Sequence, residues 1–346
     1  MPKDNETVPL VSDEPIARLE PQSFSPDQMV RCEECLRANP PTRVNCLYCA
    51  AALPINETTV RLQKPALRPL ESWEQGYNNI LWPPPANPGE PGLTEAATLL
   101  RLTSTDLVRL VEFRLPLPVA RAATLDEALL VQRRLRPLGI DTRIVSDAAL
   151  GLEDSGTTKV RAIEIDDTGI RAFQTPETPA LDIQWSDVDL LVAGRLISRR
   201  VEVKEHKGAR ADNSIVDSSE FFADEPVFEL HSGSLSISLR FSANSFDFSC
   251  LGKMKSLLAA ENLATLLKRL CENAPHAELD DSYNRVRKVL DVVWPAQQQH
   301  ESSGWRRERP GKYIVGNATE TNNEKQFMRY SRLRHYLFAE AKANRK

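Results

Sequence analysis

The sequence predicts a multidomain α+β protein: a small cysteine-held segment at the amino end, a βαβαβ module, an antiparallel β-barrel-like domain capped by a helix, and a helical C-terminal tail. Three features of the chain point there. Two C-x-x-C pairs, Cys32-Glu33-Glu34-Cys35 and Cys46-Leu47-Tyr48-Cys49, lie close together. The spacing of apolar residues shifts from a helical to a two-residue period near residue 157. Prolines gather between the periodic stretches, most densely in Trp82-Pro83-Pro84-Pro85-Ala86-Asn87-Pro88-Gly89-Glu90-Pro91-Gly92, as they do in extended linkers.

Residues 1–28 are polar and lack periodicity, which predicts a disordered arm. Residues 29–54 hold the four thiols. Two C-x-x-C pairs joined by a loop just long enough to fold back can meet at one tetrahedral point, so Cys32, Cys35, Cys46 and Cys49 are the candidate ligands of a structural Zn2+. Residues 55–93 read as a Pro-rich linker. In 94–150, Thr98 to Leu102 reads as a strand, Ser104 or Thr105 as the cap of a helix, Leu117 to Ala120 as a strand, Thr124-Leu125-Asp126-Glu127 as a capping box, and Ile140 to Val145 as the returning strand.

In 157–275, Ile163 and Ile165 share a strand face before the turn Asp166-Asp167-Thr168-Gly169. Strands follow at 170–173, 181–185, 188–192, 197–203, 227–230, 235–241 and 246–250, and a helix bears Met254, Leu257, Leu263, Leu266 and Leu270. The stretch from Lys207 to Glu225 reads as a long loop carrying Phe221-Phe222. In the tail, 276–346, a helix spans about Asp280 to Val293. A polar stretch then leads to a last helix, capped at Thr321-Asn322-Asn323-Glu324, with Phe327, Tyr330, Leu333 and Leu337 on one face.

The full cysteine pattern, C-x2-C-x3-N-x6-C-x2-C with Asn39, resembles the Ran-binding-protein type of zinc finger and the short zinc ribbons of bacterial multidomain proteins. It departs from them at Leu36 and Ala50, where many such knuckles carry glycine, and it lacks the residues with which ubiquitin-binding and RNA-binding members reach their ligands. The ribbon resemblance implies a structural, partner-neutral unit. In 94–150, the strand Pro116-Leu117-Pro118-Val119, the capped helix ending in Leu135-Arg136-Pro137-Leu138-Gly139 and the returning strand resemble the C-terminal domain of the bacterial ribosomal stalk protein and a related protease adaptor, which implies protein binding. The strand-rich region with its closing helix resembles a pleckstrin-homology-like barrel.

Charge is nearly balanced, 44 Lys+Arg against 48 Asp+Glu, so the chain as a whole has no long-range pull on nucleic acid or anionic membrane. Basic residues concentrate at the C-terminal end, among them Arg306, Arg307, Arg309, Lys325, Arg329, Arg332 and Arg334. The five histidines are scattered, with none beside a thiol in sequence, and no G-x-S-x-G, G-x-x-x-x-G-K, G-x-G-x-x-G or H-E-x-x-H occurs. The start, Met1-Pro2-Lys3-Asp4-Asn5, lacks a secretory core, and no run approaches about 20 apolar residues. The expectation is a cytoplasmic, non-catalytic, zinc-binding protein-interaction or scaffold protein with a protein partner and no small-molecule substrate. The alternative is a nucleic-acid-binding regulator that uses the ribbon and the basic tail, with lipid binding by the barrel a third possibility.

Overall fold

A computed structural model describes residues 24–54, 63, 65–71, 73–83, 90–152, 157–175, 177–208, 214–233, 238–309 and 312–344. Most of the expected disordered arm, and linker residues 55–62 and 84–89, lie outside the described residues. The chain divides into two units, residues 1–63 and 64–346.

In the first unit, Ser25 to Gln28 closes a 3₁₀ turn in which the Ser25 N–H donates to Gln28 Oε1 at 3.0 Å. Strands β1 (Val30–Arg31) and β2 (Ala38–Asn39) then pair antiparallel around the first cysteine knuckle. The buried apolar set is Val30, Cys32, Cys46 and Leu53. So small a core gives a segment little to fold on, and a metal held by the four cysteines would supply folding free energy.

The second unit begins with β3 (Tyr77–Leu81), inside the stretch expected to be linker. Helices α1 (Glu90–Leu100) and α2 (Ser104–Glu112) follow, then β4 (Pro118–Ala122), α3 (Leu125–Leu135) and β5 (Thr142–Ser146). β3 lies between β4 and β5 and runs antiparallel to both, so β4–α3–β5 is a crossover split by an earlier strand. The expected βαβαβ order is therefore corrected at its first element. Thr98 to Leu102 is the end of a helix and its exit, because Ala96, Ala97 and Leu100 recur at helical spacing and are buried together. The Thr124 cap is present as expected: its hydroxyl accepts the Glu127 N–H, and Gly139 closes the following 3₁₀ turn at φ 79°.

The strand-rich region is a curled half-barrel, with a separate antiparallel meander, β7 (Ala162–Ile165), β8 (Gly169–Phe173) and β9 (Leu181–Gln184), that includes the expected Asp166–Gly169 turn. The large sheet contains β6 (Thr157–Lys159), β10 (Val188–Gly208), β11 (Ser214–Ser232), β12 (Ser238–Ser242), β13 (Glu278–Asp280), β14 (Gln297–Arg309) and β15 (Lys312–Asn322), in the order β14-β15-β10-β11-β12-β6, with β13 parallel to β10.

Three expectations change here. Strands 188–192 and 197–203 are one continuous β10, and most of the expected long loop is β11, paired residue by residue from Val188↔Ser232 to His206↔Ser214. Arg195–Asp224, Arg199–Glu220 and Lys204–Asp217 ion pairs lace this hairpin, and its β11 side, which supplies Asp217, Glu220 and Asp224, carries no hydrophobic alternation to read. Residues 248–254 form a 3₁₀ helix in place of a strand, started by Asp247, whose carboxylate accepts the Ser249 N–H. α4 (Ala259–Asn273) covers this sheet with Leu263, Leu266 and Leu270.

The expected polar stretch of the tail is the β14–β15 hairpin, with α5 (Tyr283–Leu290) before it and α6 (Glu324–Ala343) after it. The tail is not an appendage. Trp294, Tyr283, Phe327, Tyr330, Leu333 and Leu337 share one core with Ile80, Leu107, Leu117, Val131, Leu190 and Val192, so the small α/β sheet, the half-barrel and the last helices fold as one body.

Candidate metal centre

The four cysteine sulfurs lie within 4.8 Å of one another, with Cys32 Sγ 3.6 Å from Cys49 Sγ and Cys35 Sγ 3.5 Å from Cys46 Sγ. Zinc–thiolate bonds of about 2.3 Å at tetrahedral angles set sulfurs about 3.8 Å apart, so the cluster has the dimensions of a four-thiolate zinc site. The local chain builds it twice. In the first knuckle Leu36 N–H donates to the Cys32 carbonyl at 2.9 Å and Cys32 N–H to the Arg37 carbonyl at 3.0 Å. In the second, Ala50 N–H donates to the Cys46 carbonyl at 3.0 Å and Cys46 N–H to the Ala51 carbonyl at 2.7 Å. Each knuckle closes through a left-handed residue, Leu36 at φ 59° and Ala50 at φ 61°, the two positions where glycine was the expected type.

Asn39 joins the knuckles. It is fully buried; its Nδ2 donates to the Arg37 carbonyl at 2.9 Å and to Cys46 Sγ at 3.4 Å, while its Oδ1 accepts the Leu47 N–H at 2.8 Å. One side chain thus fixes the spacing of both loops and supplies a donor to a ligand sulfur, as outer-shell groups of metal sites do.

The electrostatics favour a cation. Burial works against a Cys46 thiolate, but the Tyr48 and Cys49 N–H groups, Asn39 and Cys35 outweigh it and bring Cys46 down to about 6. The Ala51 N–H favours ionisation of Cys49, yet desolvation and the sulfurs of Cys35, Cys32 and Cys46 push it up to about 12. The thiolate is thus favoured at Cys46 and opposed at Cys49, where neighbouring sulfurs crowd one point. Bound there, zinc would be held by Cys32, Cys35, Cys46 and Cys49 and would supply folding free energy. No protein-family model, no curated protein and no solved structure matches this chain.

Around the centre, Leu36, Leu47 and Tyr48 are exposed at the knuckle tips, and the Arg37 guanidinium lies 4.7 Å from the Tyr48 ring centroid. The leftover Cys250 and Cys271 are half-buried in the second unit, and burial raises both thiols.

The histidines are less scattered than the sequence implies. His231, fully buried on β11, stacks on His335 of α6 at 4.5 Å between centroids, and its two nitrogens lie 2.8 Å from Ser238 Oγ and Ser331 Oγ. Glu229, paired with Arg240, sits beside it, its Oε2 3.9 Å from His231 Nε2. Residues 104 positions apart meet only through the packing of α6, so nothing local in the sequence announces the pair. Packing also redistributes the basic tail. Arg334 pairs with Asp280 and Glu278, Lys342 with Asp189, and Arg332 is buried, so these cations serve the interior instead of forming one continuous patch.

Proposed function

We propose that this chain is a non-catalytic zinc-binding protein that works by holding other proteins, with its ribbon as a metal-folded docking element. What carries the reading is the closed geometry of the four-cysteine cluster: four thiols fill a tetrahedral site, with no position assigned to water or substrate. The large side chains nearest the ligands, Leu36 at 62 % exposure, Leu47 at 53 % and Tyr48 at 56 %, are spent on the outside of a unit that needs every apolar group it has for a core. An aromatic and two leucines kept outward on a rigid knuckle suit a protein contact. Among the described residues no helix is long and apolar enough to cross a membrane.

The test has two arms. Metal analysis of the purified protein is expected to give one zinc per chain, lost together with ribbon structure on chelation. A photo-crosslinking residue in place of Tyr48 is expected to trap one defined protein in cells, and Leu47→Ser is expected to abolish the adduct. Zinc-free folded protein, or crosslinks to nucleic acid alone, would replace this reading.

A further inference from the structure

In the second unit a cleft of about 600 Å³ opens between residues 67–71 with Trp73, the first turns of α6 and the start of β14. That is the volume range of small-molecule sites. Its charged lining is uneven: Arg68, Arg121, Lys325 and Arg329 face a single carboxylate, Glu71. Arg68, Arg121 and Lys325 each have partners within the fold. Arg68 makes a two-pronged pair with Glu74, and Arg121 pairs with Asp147 at 2.5 Å and donates to the Glu74 carbonyl at 2.7 Å.

Arg329 differs. Its Nε is buried with no hydrogen-bond partner. The acid that acts on its charge is Asp147, whose oxygens are already committed: Oδ2 accepts from Arg121 and the Gly76 N–H, and Oδ1 from Asn78 Nδ2. Burial, then the neighbouring Arg121, pull the Arg329 guanidinium down to about 10, which leaves it charged at neutral pH and still wanting an anion. Leu67, Leu102, Val292 and Ala296 give the cleft an apolar side, and Trp73 also lines it. Gln297 to Gln299 begin β14, an edge strand with one row of backbone groups open for pairing.

We propose that this cleft binds a small organic anion, its phosphate or carboxylate head on Arg329 and Lys325 with Arg121 behind them, and its apolar or aromatic body against Leu67, Leu102 and Trp73. A guanidinium fork offers paired N–H donors to either head group, and an oxyanion there would give the Arg329 Nε the acceptor that the protein's own acids do not supply. The assignment stands apart from the ribbon, because every residue in it belongs to residues 64–346.

The experiment titrates the full-length protein with phenyl phosphate, benzoate, inorganic phosphate and the neutral benzyl alcohol, read by calorimetry. One or both aryl anions are expected to bind saturably, more weakly as salt rises, and the stronger of the two identifies the head group; inorganic phosphate is expected to compete, and benzyl alcohol not to bind. Arg329→Met keeps the bulk and removes the charge, and it is expected to weaken the aryl anion about tenfold or more. The same variant without ligand is expected to melt at the parent temperature or above, since it deletes a largely desolvated charge whose Nε has no hydrogen-bond partner. Absence of saturable anion binding, equal binding by Arg329→Met, or equal binding of benzyl alcohol would overturn the proposal. So would a lower melting temperature or loss of folding in that variant, because Arg329 would then be a structural residue.

Discussion

At the scale of single residues, the ribbon combines a signal that sequence carries openly with a strain that it conceals. Thiol spacing is local, so Cys32, Cys35, Cys46 and Cys49 are legible at once, and Asn39 is visible as part of the same pattern. The cost of the knuckles is not legible, because it depends on backbone angles. Leu36 and Ala50 sit in the left-handed region, where a side chain costs about 1–2 kcal/mol. Leu36→Gly and Ala50→Gly are each expected to recover about 1 kcal/mol, less than the full strain because glycine also loosens the unfolded chain. That gain corresponds to about fivefold tighter zinc binding in a competition titration with a chromophoric chelator. Asn39→Ala is expected to act in the other direction, weakening zinc about 10- to 100-fold, since it removes the donor to Cys46 Sγ and the acceptor of the Leu47 N–H together. Asn39→Asp keeps the acceptor but sets a negative charge beside a thiolate, and the same titration is expected to show it no better than alanine.

At the scale of elements, what could be foreseen followed the range of the interactions. The α3 start was legible because its cap is local: Thr124 accepts the Glu127 N–H, and Glu127 returns Oε2 to the Ala123 N–H at 3.3 Å. Strand β3 was not. Tyr77-Asn78-Asn79-Ile80-Leu81 places two residues of low strand preference at its centre, and the side-chain partners that hold them lie far along the chain. Asn78 donates to the Val145 carbonyl and Asp147 and accepts the Trp294 indole N–H across 216 positions, while Asn79 donates to the Ala128 carbonyl. Gly194 lies between the expected strands 188–192 and 197–203, yet β10 runs straight through it, and residues of α5 and α6 pack close there. A Cβ at this position would lie 2.5 Å from Phe327 Cε2 and 2.9 Å from Tyr283 Cδ1. Gly194→Ala is therefore expected to destabilise the second unit by about 1–3 kcal/mol, as overpacking does, lowering its urea midpoint while leaving the zinc titration unchanged.

At the scale of the whole molecule, one core within residues 64–346 joins Ile80 to Leu337, and a second gathers Phe228, Leu239 and Leu266. The two units can be followed separately in one sample, because all five tryptophans, Trp73, Trp82, Trp185, Trp294 and Trp305, lie in the second. Chelation of zinc is expected to abolish the structure of the ribbon and leave tryptophan fluorescence and its urea midpoint unaltered.

The same fluorescence reads the His231–His335 pair free of the thiols. Burial, then His335 and Arg332, hold His231 well below its ordinary value, and burial with Arg332 lowers His335 against the opposing pull of Asp189. In the unfolded chain both titrate near about 6.5. Above that pH both states are neutral and the pair has no effect on stability. Below it the unfolded chain takes up protons that the fold refuses, so stability falls toward acid by up to about 1.4 kcal/mol per pH unit for each histidine, until the lowered folded values are reached. Carboxylates, which ionise near about 4, add little to this slope between pH 6.5 and 5. Midpoints over that interval are thus expected to fall as pH falls. His231→Gln removes one of the two titrating groups, and although it lowers the midpoint throughout, it is expected to halve the slope. A midpoint that stays level from pH 7 to 5, or a slope that the substitution leaves untouched, would mean that the buried imidazoles accept their protons inside the fold.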